Sequence, residues 1–81
     1  MSLYQVSPAK WDRIPAGARV WVQFRVPNPD LPPASEAGEM LNPADLTSTG
    51  LPALRLRTLG DNELLIVRDS IVGIHRQSRG N

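Results

Sequence analysis

The sequence predicts an all-β domain, with at most one short helical turn near its start, folded into a small and strongly bent barrel. Two stretches, 19–26 and 53–59, alternate apolar and polar residues in the period-2 pattern of half-buried strands. Gly60, Asp61 and Asn62 follow the second stretch and form a tight-turn signal, because these residues tolerate positive φ. No internal repeat and no heptad competes with these signals.

Taken in order, Ser7 and Pro8 fit a cap followed by proline at the first helical position, which predicts a single turn through Asp12. Residues 1–3 carry no weight in this reading. Ile14, Pro15, Ala16 and Gly17 then mark a turn. In the stretch that follows, Val20, Val22, Phe24 and Val26 point one way, and Arg19, Trp21, Gln23 and Arg25 the other. Pro27 and Pro29 end it, since neither supplies the N–H that a ladder needs.

Residues 27–52 read as one long proline-rich, acidic loop with no strong period. Within it, 36–41 could form a helical turn or a short strand, with Gly38 and Pro43 limiting either. The last third is the most legible. Leu54, Leu56 and Thr58 share one face of a strand and Arg55 and Arg57 the other. Glu63 to Val67 is nearly continuous in apolar residues, the pattern of a strand buried on both faces. Arg68, Asp69 and Ser70 form a polar break, and Ile71 to His75 resumes as a final strand. A helix over 63–77 is the weaker reading, because Ile, Val and Gly73 oppose it. Residues 76–81 read as a frayed tail.

Eighty-one residues supply one core and leave no room for a second, so 1–81 is expected to be a single domain. A chain this short buries only about 60 % of the surface its unfolded form exposes, and small domains need support from outside the core. Cysteine is absent and His75 is the lone imidazole, which excludes disulfides and a self-contained zinc site. Oligomerisation is the remaining support. Met1 to Val6 is too short and too polar for the apolar part of a signal peptide, and no stretch approaches the ~20 apolar residues of a membrane helix. The expectation is a cytoplasmic protein without a membrane partner.

Catalysis is not expected. A serine or threonine nucleophile would need His75 beside it with an orienting acid, and nothing in the spacing suggests that. The glycines form neither a phosphate loop nor a dinucleotide fingerprint. Asp30, Glu36, Glu39 and Asp45 lack calcium-loop spacing, so no metal and no cofactor is expected.

Net charge is +1, but the charges are segregated: residues 1–29 carry +3, residues 30–50 carry −4, and residues 51–81 carry +2. All the bases except Lys10 are arginine, whose forked donors suit phosphate and carboxylate. Arginine beside an exposed aromatic ring is the physical recipe for single-stranded nucleic acid. Arg25 shares a strand face with Trp21, and Arg55 and Arg57 share another, which makes all four candidates for nucleic-acid contact.

The run Leu65, Ile66, Val67, Arg68, Asp69, Ser70, Ile71, Val72, Gly73, Ile74 resembles the second signature of the Sm-like family in its bacterial RNA-chaperone form. There an apolar strand leads into an aromatic, a basic residue, a His and a small residue before the last strand. Arg55 to Asn62 has the length of the family's preceding strand and turn. Arg13, Ile14, Pro15 is similar to its passage from first helix to first strand. Val67 stands in place of the aromatic and Asp69 in place of the His, and 27–52 has no counterpart in the family core. The resemblance implies a five-stranded bent sheet whose edge strands join neighbouring subunits, and it adds Arg68 as an RNA-contacting base. The strands 64–67 and 71–74 are apolar and free of lysine and proline, which leaves them open to pairing with another chain. Leu64, Ile66, Val72 and Ile74 are therefore the expected oligomer contacts. The expected function is a non-catalytic, homo-oligomeric Sm-like protein that binds RNA or another nucleic acid. The alternative is an SH3-like structural or adaptor module of a protein assembly, phage-like particles included, contacting its partner through the 27–52 loop.

Overall fold

The computed structural model describes residues 2–77. They form a mostly antiparallel six-stranded sheet with two short 3₁₀ segments. The strands are β1 (Leu3–Val6), β2 (Arg19–Phe24), β3 (Ala34–Leu46), β4 (Pro52–Thr58), β5 (Glu63–Val67) and β6 (Ile71–Gln77). A 3₁₀ helix at Pro8–Arg13 lies between β1 and β2, and a 3₁₀ turn at Arg68–Ser70 joins β5 to β6. The order across the sheet is β1-β6-β2-β3-β4-β5, so β1 and β5 are its edges.

The alternations read from sequence become strands with the expected inward faces. Val20 and Val22 of β2 and Leu54 and Leu56 of β4 are buried, and they meet Val6, Met40, Ile66 and Ile74 in one cluster. Trp11 and Ile14 join that cluster from the 3₁₀ helix and its exit. Trp11 buries its indole and donates its Nε1–H to the Val6 carbonyl at 3.0 Å. This satisfies the polar end of a ring whose body is packed in the core. Pro8 opens the helix where sequence placed the turn.

Two strands differ from the reading of the sequence. The sheet has six strands rather than five, and the first, β1, lies in residues that carry only one buried side chain, Val6. The 27–52 region is not a continuous loop, because β3 occupies 34–46 of it. Its pattern is carried by small and acidic residues, with Gly38 and Met40 buried, so no apolar period announces it. Pro43 is tolerated because the β3–β4 register is irregular between Asn42 and Asp45, where a missing ladder donor costs little. The proline-rich segment before β3 is a compact turn. The Leu31 N–H donates to the Asn28 carbonyl, and the Asp30 N–H donates to Asn28 Oδ1. The hairpin between β4 and β5 turns where expected, with Asp61 in the left-handed region at φ 63°.

Strand environments are also corrected at the C-terminal end. β5 pairs only with β4 and is half-buried, not buried on both faces. β6 is an interior strand, paired with β1 on one side and β2 on the other. It continues through Arg76 and Gln77, which the sequence placed in a frayed tail; residues 78–81 of that tail lie outside the described ones.

The link between β5 and β6 dictates the shape. Following the antiparallel pairings across β4, β3 and β2 makes β5 and β6 parallel to one another. In a flat sheet they would lie about 19 Å apart, four strand spacings, with the strand length still to be retraced. The steps from Val67 to Ile71 reach at most about 14 Å. The sheet must therefore curl, and the Arg25 N–H bonded to the Ser70 carbonyl at 2.7 Å ties the turn to the end of β2. β3 accommodates the curl by pairing with β2 in its first half and β4 in its second. At Gly38, where both neighbours are paired, a Cβ would collide with the Arg57 carbonyl oxygen.

Gly38→Ala should therefore lower stability by about 1–3 kcal/mol, as overpacking against backbone does. Gly60→Ala, where a Cβ meets only ordinary contacts, should change it by less than about 0.5 kcal/mol. Urea titration of the two variants measures the difference.

Candidate nucleic-acid interface

The curl and the pairings put the five sequence-predicted nucleic-acid residues in four separate settings. Arg55 on β4 is held by two carboxylates: its Nε donates to Asp45 Oδ2 at 2.7 Å and its Nη1 to Glu63 Oε1 at 3.1 Å. Arg57 stands 3.7 Å from Asp61 and directly between Glu39 of β3 and Glu63 of β5 in the strand register. Both of these arginines are thus matched by acids of the same chain. The guanidinium of Arg55 holds the Asp45 carboxyl below its ordinary value, helped by the Leu46 N–H, and Asp45 in turn raises Arg55.

Arg68 is a structural clamp. Its Nη2 donates to the Pro8 carbonyl at 3.0 Å, and its guanidinium lies 5.6 Å from the centre of the Trp11 ring. It thereby ties the turn after β5 to the N-terminal 3₁₀ helix across 60 residues of sequence. Trp21 is half-buried and packs on His75, ring centres 5.5 Å apart and tilted by 48°. It also lines an apolar groove of about 330 Å³ with Leu3, Val20, Ala37 and Leu59, and Arg19 stands at that groove. Arg25 is exposed in the β2–β3 connection, beside the turn of prolines.

The expected oligomer contacts divide likewise. Ile66 and Ile74 are core residues and Leu64 packs against the core, so these side chains are committed within the chain. Val72 is 47 % exposed, but it sits on β6, whose two ladders are both occupied.

A different set of bases converges. Lys10 and Arg13 are three residues apart on the 3₁₀ helix, where side chains at i and i+3 eclipse one another. Tyr4 of β1 and Arg76 of β6 are direct register partners. All four line one pocket of about 260 Å³ whose remaining walls are Val6 and Ile14. Val6 and Ile14 are anchored in the core, so the pocket floor is fixed by the same packing that fixes the fold. Tyr4 is 46 % exposed and contributes to the lining. No carboxylate lines this pocket, and the ion pairs among the described residues fall on Arg55 and Arg57 alone. An aromatic surface beside three cations not engaged by acids is suited to an anion that carries a flat ring.

Sequence reasoning missed this pocket because its members come from three elements separated by up to 72 positions. The one local signal was the i, i+3 spacing of Lys10 and Arg13 in a predicted turn. His75 lies on the other face of β6 from Arg76, and its buried Nδ1 makes no hydrogen bond. Among the described residues no cluster of His, Cys, Asp or Glu could hold a metal ion, and no helix is long and apolar enough to cross a membrane. Compared with protein-family models, with curated proteins and with solved structures, the chain matches none.

Two outcomes test these assignments. Asp45 binds its proton more weakly folded than unfolded, so its contribution to stability is complete above its ordinary value of 3.8 and is lost as pH falls through the lower folded value. The acid limb of a stability-against-pH curve should accordingly be flatter in Asp45→Asn. Arg68→Ala should cost about 1–2 kcal/mol, from one charged hydrogen bond and a cation–π contact, and the near-ultraviolet dichroism of Trp11 should change with it.

Proposed function

We propose that the chain is a small, non-catalytic nucleic-acid-binding protein of Sm-like, barrel type, and that it holds single-stranded RNA or DNA in the Tyr4, Lys10, Arg13, Arg76 pocket. The observation that carries this reading is the convergence of three bases and a tyrosine ring on one concave surface with no carboxylate in its wall. Phosphate meets the guanidinium and ammonium groups, and a base stacks on Tyr4. Arg55, Arg57 and Arg68 do other work: the first two balance acids of β3, β5 and the β4–β5 turn, and the third braces the helix that carries Lys10 and Arg13.

Self-association belongs to the same proposal. Among the described residues β1 and β5 each have one strand neighbour, and pairing the β5 edge of one copy with the β1 edge of the next would close both ladders. This replaces the contact through Ile66 and Ile74 by backbone pairing at the edges.

A second reading, an adaptor that binds protein, is favoured by the apolar groove beneath Trp21, Leu3 and Leu59, the last of these 75 % exposed. The two readings part in one experiment. Binding of a labelled single-stranded RNA, followed by fluorescence anisotropy over a salt series, should weaken linearly in log–log form as salt rises, because phosphate contacts release counterions. The Lys10→Ala, Arg13→Ala, Arg76→Ala triple variant should lose that binding, and Arg55→Ala should keep it. Absence of binding to RNA and to single-stranded DNA at low salt overturns the nucleic-acid reading in favour of the adaptor.

A further inference from the structure

The shape of the basic pocket restricts the anion further. A surface that follows the interior of a strand spreads its charges along a groove, because each internal phosphodiester brings one charge per nucleotide. Here the charges are gathered instead. Lys10 and Arg13 are eclipsed on a single helical turn, Arg76 faces them from β6, and all three border the same volume of about 260 Å³. Val6 and Ile14 supply its apolar wall and are held in the core. A phosphomonoester at a strand end differs from an internal phosphate in both respects that matter. It carries close to two negative charges at neutral pH, and it presents three terminal oxygens to donors arriving from several directions.

We propose that the Tyr4, Lys10, Arg13, Arg76 pocket is a receptor for the terminal phosphate of a nucleic-acid strand, with the terminal base lying on the Tyr4 ring. The proposal rests on the nucleic-acid reading above and narrows it from a strand to a strand end. Register supports the division of labour: Tyr4 and Arg76 are cross-strand partners, so a ring stacked on the tyrosine holds its phosphate within the reach of the arginine. Two cations from the helix complete the cradle from the other side.

The test uses one short single-stranded oligonucleotide, labelled internally, in three forms: 5′-phosphorylated, 3′-phosphorylated, and hydroxyl at both ends. One phosphorylated form should bind at least about tenfold more tightly than the hydroxyl form, as a set of charge-assisted bonds to an extra charge requires. Which of the two wins identifies the end. Inorganic phosphate should displace the preferred form, and Arg76→Ala should abolish the preference while Arg57→Ala retains it. Lys10→Ala, at an exposed position, repeats the test should the half-buried Arg76 prove necessary for folding. Equal, salt-dependent affinity for all three forms would overturn the terminal-phosphate assignment and leave nucleic-acid binding standing. No binding of any form would remove both.

Discussion

The connection from Val67 to Ile71 is too short to cross a flat sheet, and the rest of the molecule follows from how that distance is closed. Curling brings β6 between β1 and β2, which gives β1 its partner and buries Ile74 in the core. The same turn sends Arg68 back to the Pro8 carbonyl and over the Trp11 ring. One three-residue element therefore bends the sheet and also steadies the helix on which Lys10 and Arg13 sit. The departure at Gly38 is the matching concession in β3, where the backbones of β3 and β4 come too close for a side chain.

Most of the sheet was legible because its strands obey one simple rule. β2 and β4 have a wet face and a dry face, so the alternation of Val20, Val22 and of Leu54, Leu56 records their orientation directly. The hairpin between β4 and β5 was equally plain, since a left-handed Asp61 needs the kind of residues found there. β3 was hidden for a physical reason: its neighbours on both sides supply the hydrophobic cover, and its own contribution is a buried glycine, one methionine and small residues. β1 was hidden because a strand of four residues with one buried side chain is below what periodicity can register.

The charge segregation in the sequence had a meaning different from the one a partner would give it. The acidic stretch 30–50 contains β3, and β3 lies against the basic strand β4, so Glu39 opposes Arg57 and Asp45 binds Arg55. Two of the four acids in that stretch are thus met by bases of the same chain. These pairs are partly or fully open to solvent, and pairs of that kind add little to stability; their effect is to remove Arg55 and Arg57 from the supply of free cations. Among the remaining bases, the grouping of Lys10 and Arg13 with Arg76 was not legible because only the third dimension brings them together. The apolar core itself, by contrast, follows from the strand pattern with the addition of Trp11, whose burial depends on one carbonyl placed to receive its N–H.

β1 is a lightly attached margin of the sheet. It is joined to the sheet along four residues and on one side only, and it ends in Val6, whose carbonyl receives the Trp11 indole. Strands attached in this way are among the first elements of a domain to open and close. Tyr4 rides on it, while Arg76 belongs to the interior. A molecule grasped by both would staple a loose margin to a firm one, so that occupancy and the order of the N-terminal margin become a single equilibrium, with cargo acting as the missing fastener.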